Sequence, residues 1–406
     1  MIADSNKARH IATLDGVRAV AAYGVIATHV GFNSGESLNN GPFAPVLARL
    51  DFGVTLFFLL SGFLLFRPFS VAAQAGEPGP RLGSFWWRRL LRIAPAYWLV
   101  IVVVLGVLTR HSTTSGEWRS YLLLTQTYVG HNTDPSLTQM WTLAVEIAFY
   151  AALPLLAIGA RRLSGRRQLS GQLVLLTLMA AGALAGNLVA RGVSSDYTVG
   201  LLWLPAYLDW FALGMLLAVA SAASADAPRW LMSLRSMAAA PGTCWILGGL
   251  LFWIATLPLA GPRTLLPASA WEWTLKHYLY GGAAFFLLLP VALGRTEWIR
   301  RLLGNRVMSW LGSISYGVYL WHLPLLIAIQ HWLGWASFQG HFLALFILTA
   351  LVSTAAAAVS WHLFERPLLV RFSRPWLRAG ERRPQRQSQR EQAEQLDPGA
   401  AGHGVR

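Results

Sequence analysis

Residues 52–66 read FGVTLFFLLSGFLLF, a run of 15 residues that contains no charged side chain. The run is the centre of a mostly apolar stretch over residues 51–70, and about 20 such residues are enough for an α-helix to cross the hydrocarbon core of a bilayer. Stretches of similar length and polarity occur along the rest of the chain. Ten membrane helices are predicted, over residues 13–32, 51–70, 89–109, 139–159, 172–190, 198–220, 243–260, 273–293, 309–333 and 342–364.

The composition of the 406-residue chain indicates the same fold class. Hydrophobic residues make up 55% of the chain and charged residues only 13%, which is too little polar surface for a water-soluble protein of this size. We therefore expect an all-α polytopic membrane protein with about ten transmembrane helices. A soluble enzyme, a disordered chain and a secreted disulfide scaffold are excluded. The single cysteine, Cys244, cannot form an intrachain disulfide, so no redox chemistry is expected.

The distribution of basic residues predicts how the helices are oriented. When the loops are assigned alternately to the two sides of the membrane, most of the 33 lysines and arginines fall on the side of the amino terminus. By the positive-inside rule, both termini face the cytoplasm. The formal charge of +15 is then a topology signal with a secondary attraction to membrane lipid, and no nucleic-acid partner is expected.

This orientation also defines the predicted organisation of the chain in a bacterial cytoplasmic membrane. A cytoplasmic N-terminus over residues 1–12 precedes a transmembrane domain over residues 13–368, and a basic disordered cytoplasmic tail follows over residues 369–406. The first helix is not read as a cleaved signal peptide, because Asp15 and Arg18 interrupt its apolar region.

Two ionisable residues share one face of the first predicted helix. Arg18 and His29 are eleven residues apart, which places them about 16 Å from each other and within about 20° of the same face. Charged groups at membrane depth cost free energy, so each needs a partner or a function. One interpretation is a functional polar face. The other is an ion pair of Arg18 with Asp15 and a histidine whose side chain reaches the outer interface.

A carboxylate in the fourth predicted helix is expected at the same depth as His29. That helix begins on the outer side, so Glu146 lies in its outer half. A neutral imidazole beside a carboxylate is a typical arrangement of a general base and its orienting group, so His29 and Glu146 are predicted as catalytic residues. The alternative is a structural hydrogen bond between Glu146 and Thr142 or Tyr150, one helical turn away on either side.

Three arginines, Arg88, Arg89 and Arg92, open the third predicted helix on the cytoplasmic side. Their guanidinium groups are suited to bind the phosphates of a ligand. Arginines at this place are also what the positive-inside rule supplies. The residues alone leave both interpretations open.

The ninth predicted helix contains Ser315, Tyr319 and His322, whose spacing of i, i+4 and i+7 puts them on one face. They either line a substrate passage or form hydrogen bonds between helices. Asp209, in the sixth predicted helix, has no evident partner. No pair of histidines has the spacing of a metal site and no cysteine cluster exists, so no metal is expected.

Several motifs resemble, in order, those of the membrane-bound acyltransferase 3 family. LDGVRAVA over residues 14–21, followed by His29, is similar to the family's opening, with the same spacing of arginine and histidine. FGVTLFFLLSGFLLF resembles its second helix, the arginines of residues 88–92 its basic triplet, and WTLAVEIAFY over residues 141–150 its tryptophan and glutamate motif. SYGVYLWHLP over residues 315–324 and FERP over residues 364–367 match late motifs. The resemblance covers about residues 10–368.

The resemblance implies an integral-membrane O-acyltransferase that moves an acyl group, usually acetyl, from cytoplasmic acyl-CoA to a hydroxyl group. The acceptor would be a glycan or a glycosylated metabolite, such as an envelope polysaccharide or a macrolide-type compound. His29 would be the general base or the acyl carrier, and Glu146 a functional residue. Arg18, Arg88, Arg89 and Arg92 would bind the acyl-CoA donor or serve the essential architecture of the site. Independently of the resemblance, we predict that Trp141, Ser315, Tyr319 and His322 line the substrate passage.

Two further expectations follow from the same comparison. Some members of the family carry an additional extracytoplasmic hydrolase-like domain, and since this chain shows none we expect it to act as a stand-alone unit. The segment Glu365-Arg366-Pro367 is expected to end the tenth helix near the donor site, because proline cannot continue a helix from the previous turn. The alternative function is a transporter or flippase in which Arg18, His29 and Glu146 relay a coupling ion.

Overall fold

The computed structural model describes residues 2–108, 114–129, 134–165, 167–192, 202–224, 226–263, 268–294 and 296–372, with the side chains of all of these except residues 2–11 and 189–192. Most of the predicted tail therefore lies outside the described residues, and so do the side chains of most of the predicted N-terminus. In the described part of the chain, all regular elements are helical, as predicted. The α-helices are α1 (Ile2–Ser34), α2 (Ala44–Leu47), α3 (Gly53–Gln74), α4 (Leu82–Val103), α5 (Ser115–Leu122), α6 (Trp141–Ser164), α7 (Gln168–Gly192), α8 (Leu208–Ala222), α9 (Arg229–Ala238), α10 (Pro241–Thr256), α11 (Ala270–Ala292), α12 (Glu297–Leu303), α13 (Arg306–Leu333) and α14 (Phe342–Ser360).

Among the described residues, eight helical segments are long and apolar enough to cross a membrane. The pair α9 and α10, which meet at a bend of 95°, would together add a ninth. α1 is 33 residues long but is not counted among them, because Asp15, Arg18 and His29 lower its hydropathy. With α1 included, each of the ten predicted stretches corresponds to one helix of the structure. The chain is a multi-pass membrane protein.

The polar composition of α1 is explained by its position in the bundle. α1 packs against α3, α12, α13 and α14. Between residues 12 and 34, only Val20 is exposed. Because neighbouring helices shield α1 from lipid, its ionisable side chains face protein, where they can find partners.

Glycines allow the helices around the site to touch backbone to backbone. A methyl group at Gly312 of α13 would lie 2.1 Å from the carbonyl oxygen of Asp15 in α1. A methyl group at Gly214 of α8 would lie 2.0 Å from the carbonyl oxygen of Leu59 in α3. Small residues are typical of such close approaches in membrane bundles. The contact at Gly312 brings the polar face of α13 directly beside that of α1.

Local signals set the two ends of α13. Its first turn is capped by the side chain of Asn305, which accepts a hydrogen bond from the backbone N–H of Met308 at 3.0 Å. It ends at Gly334, whose φ of 65° is a left-handed conformation that glycine adopts without strain. The 28-residue helix between them carries Ser315, Tyr319 and His322 through the bundle.

The expectation that Glu365-Arg366-Pro367 ends the last helix is wrong. α14 is followed by a π-helical turn, Trp361–Glu365, and helix then continues to Phe372. Pro367 falls in the first turn after the wider π-helical turn, where its missing N–H breaks no regular hydrogen bond. The wider turn also directs Glu365 into the protein, where only 2% of the residue is exposed.

Candidate active site

The first group of predicted residues lies at the amino-terminal part of the α1 polar face. Arg18 Nη1 is 3.8 Å from Asp15 Oδ1, so the predicted ion pair between these residues is present. The guanidinium of Arg18 is only partly enclosed, with 27% of its side chain exposed. Its charge acts on Arg89 and Arg92, which reach the same region from α4.

Arg92 has the most complete set of partners among these arginines. Its Nη2 donates to the carbonyl oxygen of Ser313 at 3.0 Å, and its Nη1 lies 4.0 Å from Glu365 Oε2. The guanidinium also stacks over the ring of Trp361 at 4.7 Å. Glu365 in turn accepts a hydrogen bond from Ser360 Oγ at 3.1 Å. A buried carboxylate therefore neutralises Arg92 from the far end of the chain.

The other two arginines of α4 differ in their surroundings. Arg89 lies over the ring of Tyr150 at 6.0 Å, and its Nε is buried without a hydrogen-bond partner among the described residues. Arg88 is exposed and donates to Ser84 Oγ, one turn earlier on the same helix, at 2.6 Å. The structure thus brings together two of the three predicted arginines with Arg18. We call Arg18, Arg89 and Arg92, with the acidic residues Asp15 and Glu365, the arginine site.

Glu146 of α6 belongs to this end of the molecule. Its Oε1 accepts hydrogen bonds from Ser61 Oγ, at 2.5 Å, and from the hydroxyl of Tyr150. Its charge also acts on Arg89. The bond with Tyr150 is one of the two structural alternatives that the sequence left open. The structure places Glu146 in contact with these partners and does not bring it to His29.

A narrow cavity of about 50 Å³ lies beside Arg18 and Glu146. Side chains of α1, α3, α6 and α13 surround it. Its lining residues are Arg18, Val54, Phe57, Phe58, Thr142, Leu143, Glu146, Ser315, Tyr316 and Tyr319. Neither His29 nor His322 is included among these lining residues.

His29 and His322 lie together at the other end of the α1 polar face. Their ring centroids are 5.2 Å apart and their planes are inclined by 44°. His322 is completely buried, whereas His29 is partly exposed. His322 Nδ1 lies 2.6 Å from the carbonyl oxygen of Tyr319, and His322 Nε2 has no hydrogen-bond partner among the described residues. We call His29 and His322 the histidine pair.

Tyr319 is common to the cavity and to the histidine pair. Its side chain lines the cavity, and its carbonyl oxygen accepts the bond from His322. Its hydroxyl lies 2.8 Å from Thr142 Oγ1 and donates to the carbonyl oxygen of Gln139 at 3.1 Å. Tyr319 therefore lies between the cavity and the histidine pair. Its side chain forms part of the cavity wall, and its backbone carbonyl binds His322.

The two remaining predicted passage residues have different places. Ser315 lines the cavity, and its hydroxyl donates to the carbonyl oxygen of Gly312 at 2.8 Å. Trp141 packs its ring against Tyr207 at 5.2 Å and Phe58 at 6.4 Å. Trp141 is thus part of the aromatic packing between α6, α3 and α8.

The carboxylate whose charge acts on His29 is Asp51, which precedes α3. Asp51 Oδ1 accepts a hydrogen bond from the Tyr280 hydroxyl at 2.5 Å, and Oδ2 lies 3.9 Å from Lys276 Nζ. Asp51 was not among the residues predicted from the sequence. A charged residue at the edge of a predicted membrane helix has no local signal that distinguishes it from an interface residue.

A second buried pair gives Asp209 the partner that the sequence left open. Asp209 Oδ2 is 2.8 Å from His277 Nε2, and the imidazole stacks between Trp210, at 4.3 Å, and Trp273, at 4.8 Å. These residues lie on α8 and α11. In the described part of the chain, no group of three or more histidine, cysteine, aspartate or glutamate residues is arranged to hold a metal ion.

Comparison with known proteins gives a family match over most of the chain. Residues 11–361 match the family model described as an acyltransferase domain, acyltransferase 3. The chain is 27% identical over 385 residues to a putative peptidoglycan O-acetyltransferase, YrhL, of Bacillus subtilis, covering 89% of this chain and 55% of the relative. It is 26% identical over 354 residues to the peptidoglycan O-acetyltransferase OatA of Listeria monocytogenes, covering 78% and 50%. The O-acetyltransferase OatA of Staphylococcus aureus is 22% identical over 378 residues, covering 89% and 57%.

The chain therefore spans about half the length of these relatives. No solved structure matches it.

Proposed function

Because the chain belongs to the acyltransferase 3 family, we propose that it is a membrane O-acyltransferase of a bacterial cytoplasmic membrane. The donor would be acyl-CoA from the cytoplasm, and the acyl group acetyl. The acceptor would be a hydroxyl group of a cell-envelope glycan. The names of the relatives, two of which are called peptidoglycan O-acetyltransferases, support acetyl as the acyl group and a glycan as the acceptor.

The observation that carries this proposal is the distribution of groups along α1. The arginine site lies at one end of its polar face and the histidine pair at the other, about 16 Å apart by helix geometry. The cavity and Tyr319 lie between them. An acyl-CoA has its phosphates and its thioester at opposite ends of a flexible arm, and this arrangement offers cations to one end and an imidazole to the other.

The arginine site supplies the cations for the donor. Arg18 and Arg92 hold the acidic partners Asp15 and Glu365 at 3.8 and 4.0 Å, which is longer than a direct hydrogen-bonded ion pair. A phosphate group would therefore replace loose ion pairs. Arg89, with its buried and unpartnered Nε, is the arginine with the most to gain from an incoming anion.

At the other end, His29 would take part in the transfer itself. In direct transfer, the hydroxyl oxygen of the acceptor attacks the thioester carbonyl while His29 removes the hydroxyl proton. The C–O bond forms, the C–S bond breaks, and the thiolate of CoA leaves and receives the proton from His29. In the alternative route, a ring nitrogen of His29 attacks the thioester carbonyl and the C–S bond breaks with release of the CoA thiolate. The acceptor hydroxyl oxygen then attacks the acyl carbon, the bond from this carbon to His29 breaks, and the hydroxyl proton passes to the thiolate.

Glu146 would have a different task from the one that the sequence suggested. It is held by Ser61 and Tyr150 and it acts on Arg89. A carboxylate in this position organises the donor end of the site. Neither of its hydrogen-bond partners is His29.

The proposal is tested with the purified chain in detergent, radiolabelled acetyl-CoA and soluble peptidoglycan fragments as acceptor. We expect release of free CoA thiol and labelled fragments, and we expect His29→Ala to lower the rate by at least about 1000-fold through loss of the base. His331→Ala is the matched control, because His331 is an exposed histidine near the end of α13. Mass spectrometry of the fragments would identify the modified hydroxyl.

Two results would contradict this proposal. Transfer to a glycosylated metabolite but not to peptidoglycan fragments would refute the envelope acceptor while keeping the acyltransferase. A wild-type protein that neither binds nor consumes acetyl-CoA, but moves a solute across proteoliposomes, would favour the transporter alternative.

A further inference from the structure

We infer that His322 is the positioning residue for His29: its Nε2 accepts a hydrogen bond from the ring N–H of His29 and so orients the catalytic imidazole. This inference rests on the proposed function of His29. It assigns to an imidazole of α13 the task that the sequence analysis expected Glu146 to perform.

The hydrogen bonding of His322 defines which of its nitrogens carries the proton. Nδ1 lies 2.6 Å from the carbonyl oxygen of Tyr319, and a carbonyl oxygen can only accept. The proton of the neutral ring is therefore on Nδ1. Nε2 is left as a lone-pair acceptor, buried and without a partner among the described residues. An unpaired buried acceptor costs free energy, so its retention points to a partner during function.

The nearest imidazole to this acceptor is that of His29. With ring centroids 5.2 Å apart, two facing ring nitrogens approach to about 3 Å when the rings turn toward each other, which is hydrogen-bond distance. The rings are inclined by 44° in the structure, and the bond requires a rotation of the His29 side chain that turns a ring nitrogen toward His322 Nε2. His29 has one ring nitrogen for His322 and the other for the substrate.

The burial of the two histidines indicates which of them contacts the substrate. His322 is completely buried on α13, and His29 is partly exposed on α1. Part of the surface of His29 is therefore accessible, whereas none of His322 is, so we expect the acceptor hydroxyl at His29. This order of substrate, imidazole and buried acceptor is the one in which the buried group selects the tautomer of the reacting imidazole.

Each of the two carboxylates near the site has other partners for at least one of its oxygens. Asp51 acts on His29 through its charge, but its two oxygens are taken by the Tyr280 hydroxyl and by Lys276. Glu146 Oε1 is taken by Ser61 and Tyr150. His322 Nε2, by contrast, is a buried acceptor without a partner among the described residues, and its ring lies beside that of His29.

In direct transfer, the proton of the acceptor hydroxyl passes through His29 to the CoA thiolate. As the acceptor oxygen bonds to the acyl carbon, its proton moves to the outward nitrogen of His29, and the C–S electron pair leaves with the CoA thiolate. The imidazolium keeps its second N–H bonded to His322 Nε2, which spreads the positive charge. His29 then gives the proton to the thiolate, and His322 ends the cycle with the proton it started with on Nδ1.

Two amide variants separate this role from a structural one. The amide of asparagine overlaps with Nδ1 of histidine, so His322→Asn keeps the bond to the Tyr319 carbonyl and removes the acceptor toward His29. The amide of glutamine overlaps with Nε2, so His322→Gln keeps an acceptor toward His29 and gives up the bond to Tyr319. Each variant therefore retains one of the two hydrogen-bonding groups of the imidazole and lacks the other.

We expect kcat for acetyl transfer to fall by about 100-fold in His322→Asn and by less than about tenfold in His322→Gln. The KM for acetyl-CoA stays within about twofold of wild type in both, because the arginine site is untouched. If His322 were only structural, the order would reverse, with His322→Asn as active as or more active than His322→Gln. That order, or full activity in His322→Asn, would overturn the inference.

A spectroscopic measurement decides the inference independently of activity. In ¹⁵N-histidine-labelled protein, the signals of His29 are assigned by their loss in His29→Ala, and they report which ring nitrogen carries the proton. We expect a single tautomer in wild type and in His322→Gln, and a mixture in His322→Asn. An unchanged single tautomer in His322→Asn would refute the positioning role. If wild type transferred no acetyl group at all, the proposed function would fail while this measurement still tested the contact.

Discussion

At the amino-terminal end of the α1 polar face, Arg18 and Arg92 each have an acidic residue of the chain beside them. At the other end, His29 lies beside His322, whose Nε2 has no partner among the described residues. The arginine site is thus largely neutralised from within, whereas the histidine pair retains an open acceptor.

The difference indicates what each end is suited to do. Cations that already hold carboxylates at about 4 Å are stable in a bundle without ligand and can exchange these partners for phosphate oxygens. An imidazole with an open nitrogen in a buried place is costly, and it is retained where a proton has to move. We therefore regard the arginine site as a binding region and the histidine pair as the reacting region.

The largest effect is expected for Arg92→Ala, which tests whether acidic residues of the chain neutralise the arginine site. Arg92→Ala would leave Glu365, a residue only 2% exposed, without its cation. Removing one partner of a buried ion pair costs about 3 kcal/mol or more, so the melting temperature in detergent should fall clearly. Adding Glu365→Gln should recover part of the loss, because a neutral amide needs no cation.

The control for this experiment is Arg88→Ala, since Arg88 is exposed and, among the described residues, forms a hydrogen bond only to Ser84. We expect its melting temperature to stay close to that of wild type. Equal stability of Arg92→Ala and Arg88→Ala would mean that the arginine site is not neutralised from within.

A smaller effect is expected on donor affinity. Arg89→Ala should weaken acetyl-CoA binding by about tenfold, because a charge-assisted hydrogen bond to a phosphate is lost. Arg88→Ala should change it by less than about twofold, since Arg88 lies outside the arginine site. Calorimetry at two salt concentrations checks both values, and the loss in Arg89→Ala should become relatively smaller as salt rises. Similar losses of affinity for both variants would mean that Arg88 and Arg89 contribute equally to donor binding, contrary to this prediction.

The smallest effect is expected for Glu146→Gln, which tests whether Glu146 acts at the donor end of the site. Glu146→Gln keeps an acceptor for Ser61 and Tyr150 but removes the negative charge near Arg89. We expect the KM for acetyl-CoA to change by about threefold while kcat stays within about twofold. The opposite result, a large fall in kcat at unchanged KM, would place Glu146 with His29, as the sequence suggested. Steady-state kinetics of CoA release distinguish the two.

The sequence predicted the elements of the fold well and their mutual contacts poorly. Each of the ten apolar stretches contains a helix, because length and hydropathy are local properties. The end of the last helix was predicted wrongly at Pro367, because a π-helical turn just before it changes the hydrogen-bond pattern that proline would otherwise interrupt. The side chains of Arg18 and His29 were placed correctly on one helix, since periodicity defines a face.

The contacts between helices show why the pairing of side chains could not be predicted from the sequence. Glu365 lies 273 positions after Arg92 in the chain, and His277 lies 68 positions after Asp209. No local feature of the sequence around these residues identifies their partners. The depth argument that joined Glu146 to His29 used height in the membrane and had no information about direction around the bundle. Glu146 in fact faces Ser61 of α3.

The sequence was sufficient to predict an all-α membrane protein with a polar face on α1 and a set of arginines at one end. Which polar groups meet depends on how the helices pack. Close approaches such as Gly312 against the backbone of Asp15 define how α13 lies on α1, and that packing puts His322 behind His29. The physical reason is that helix periodicity is local, whereas the choice of neighbouring helix depends on backbone contacts between residues far apart in the chain.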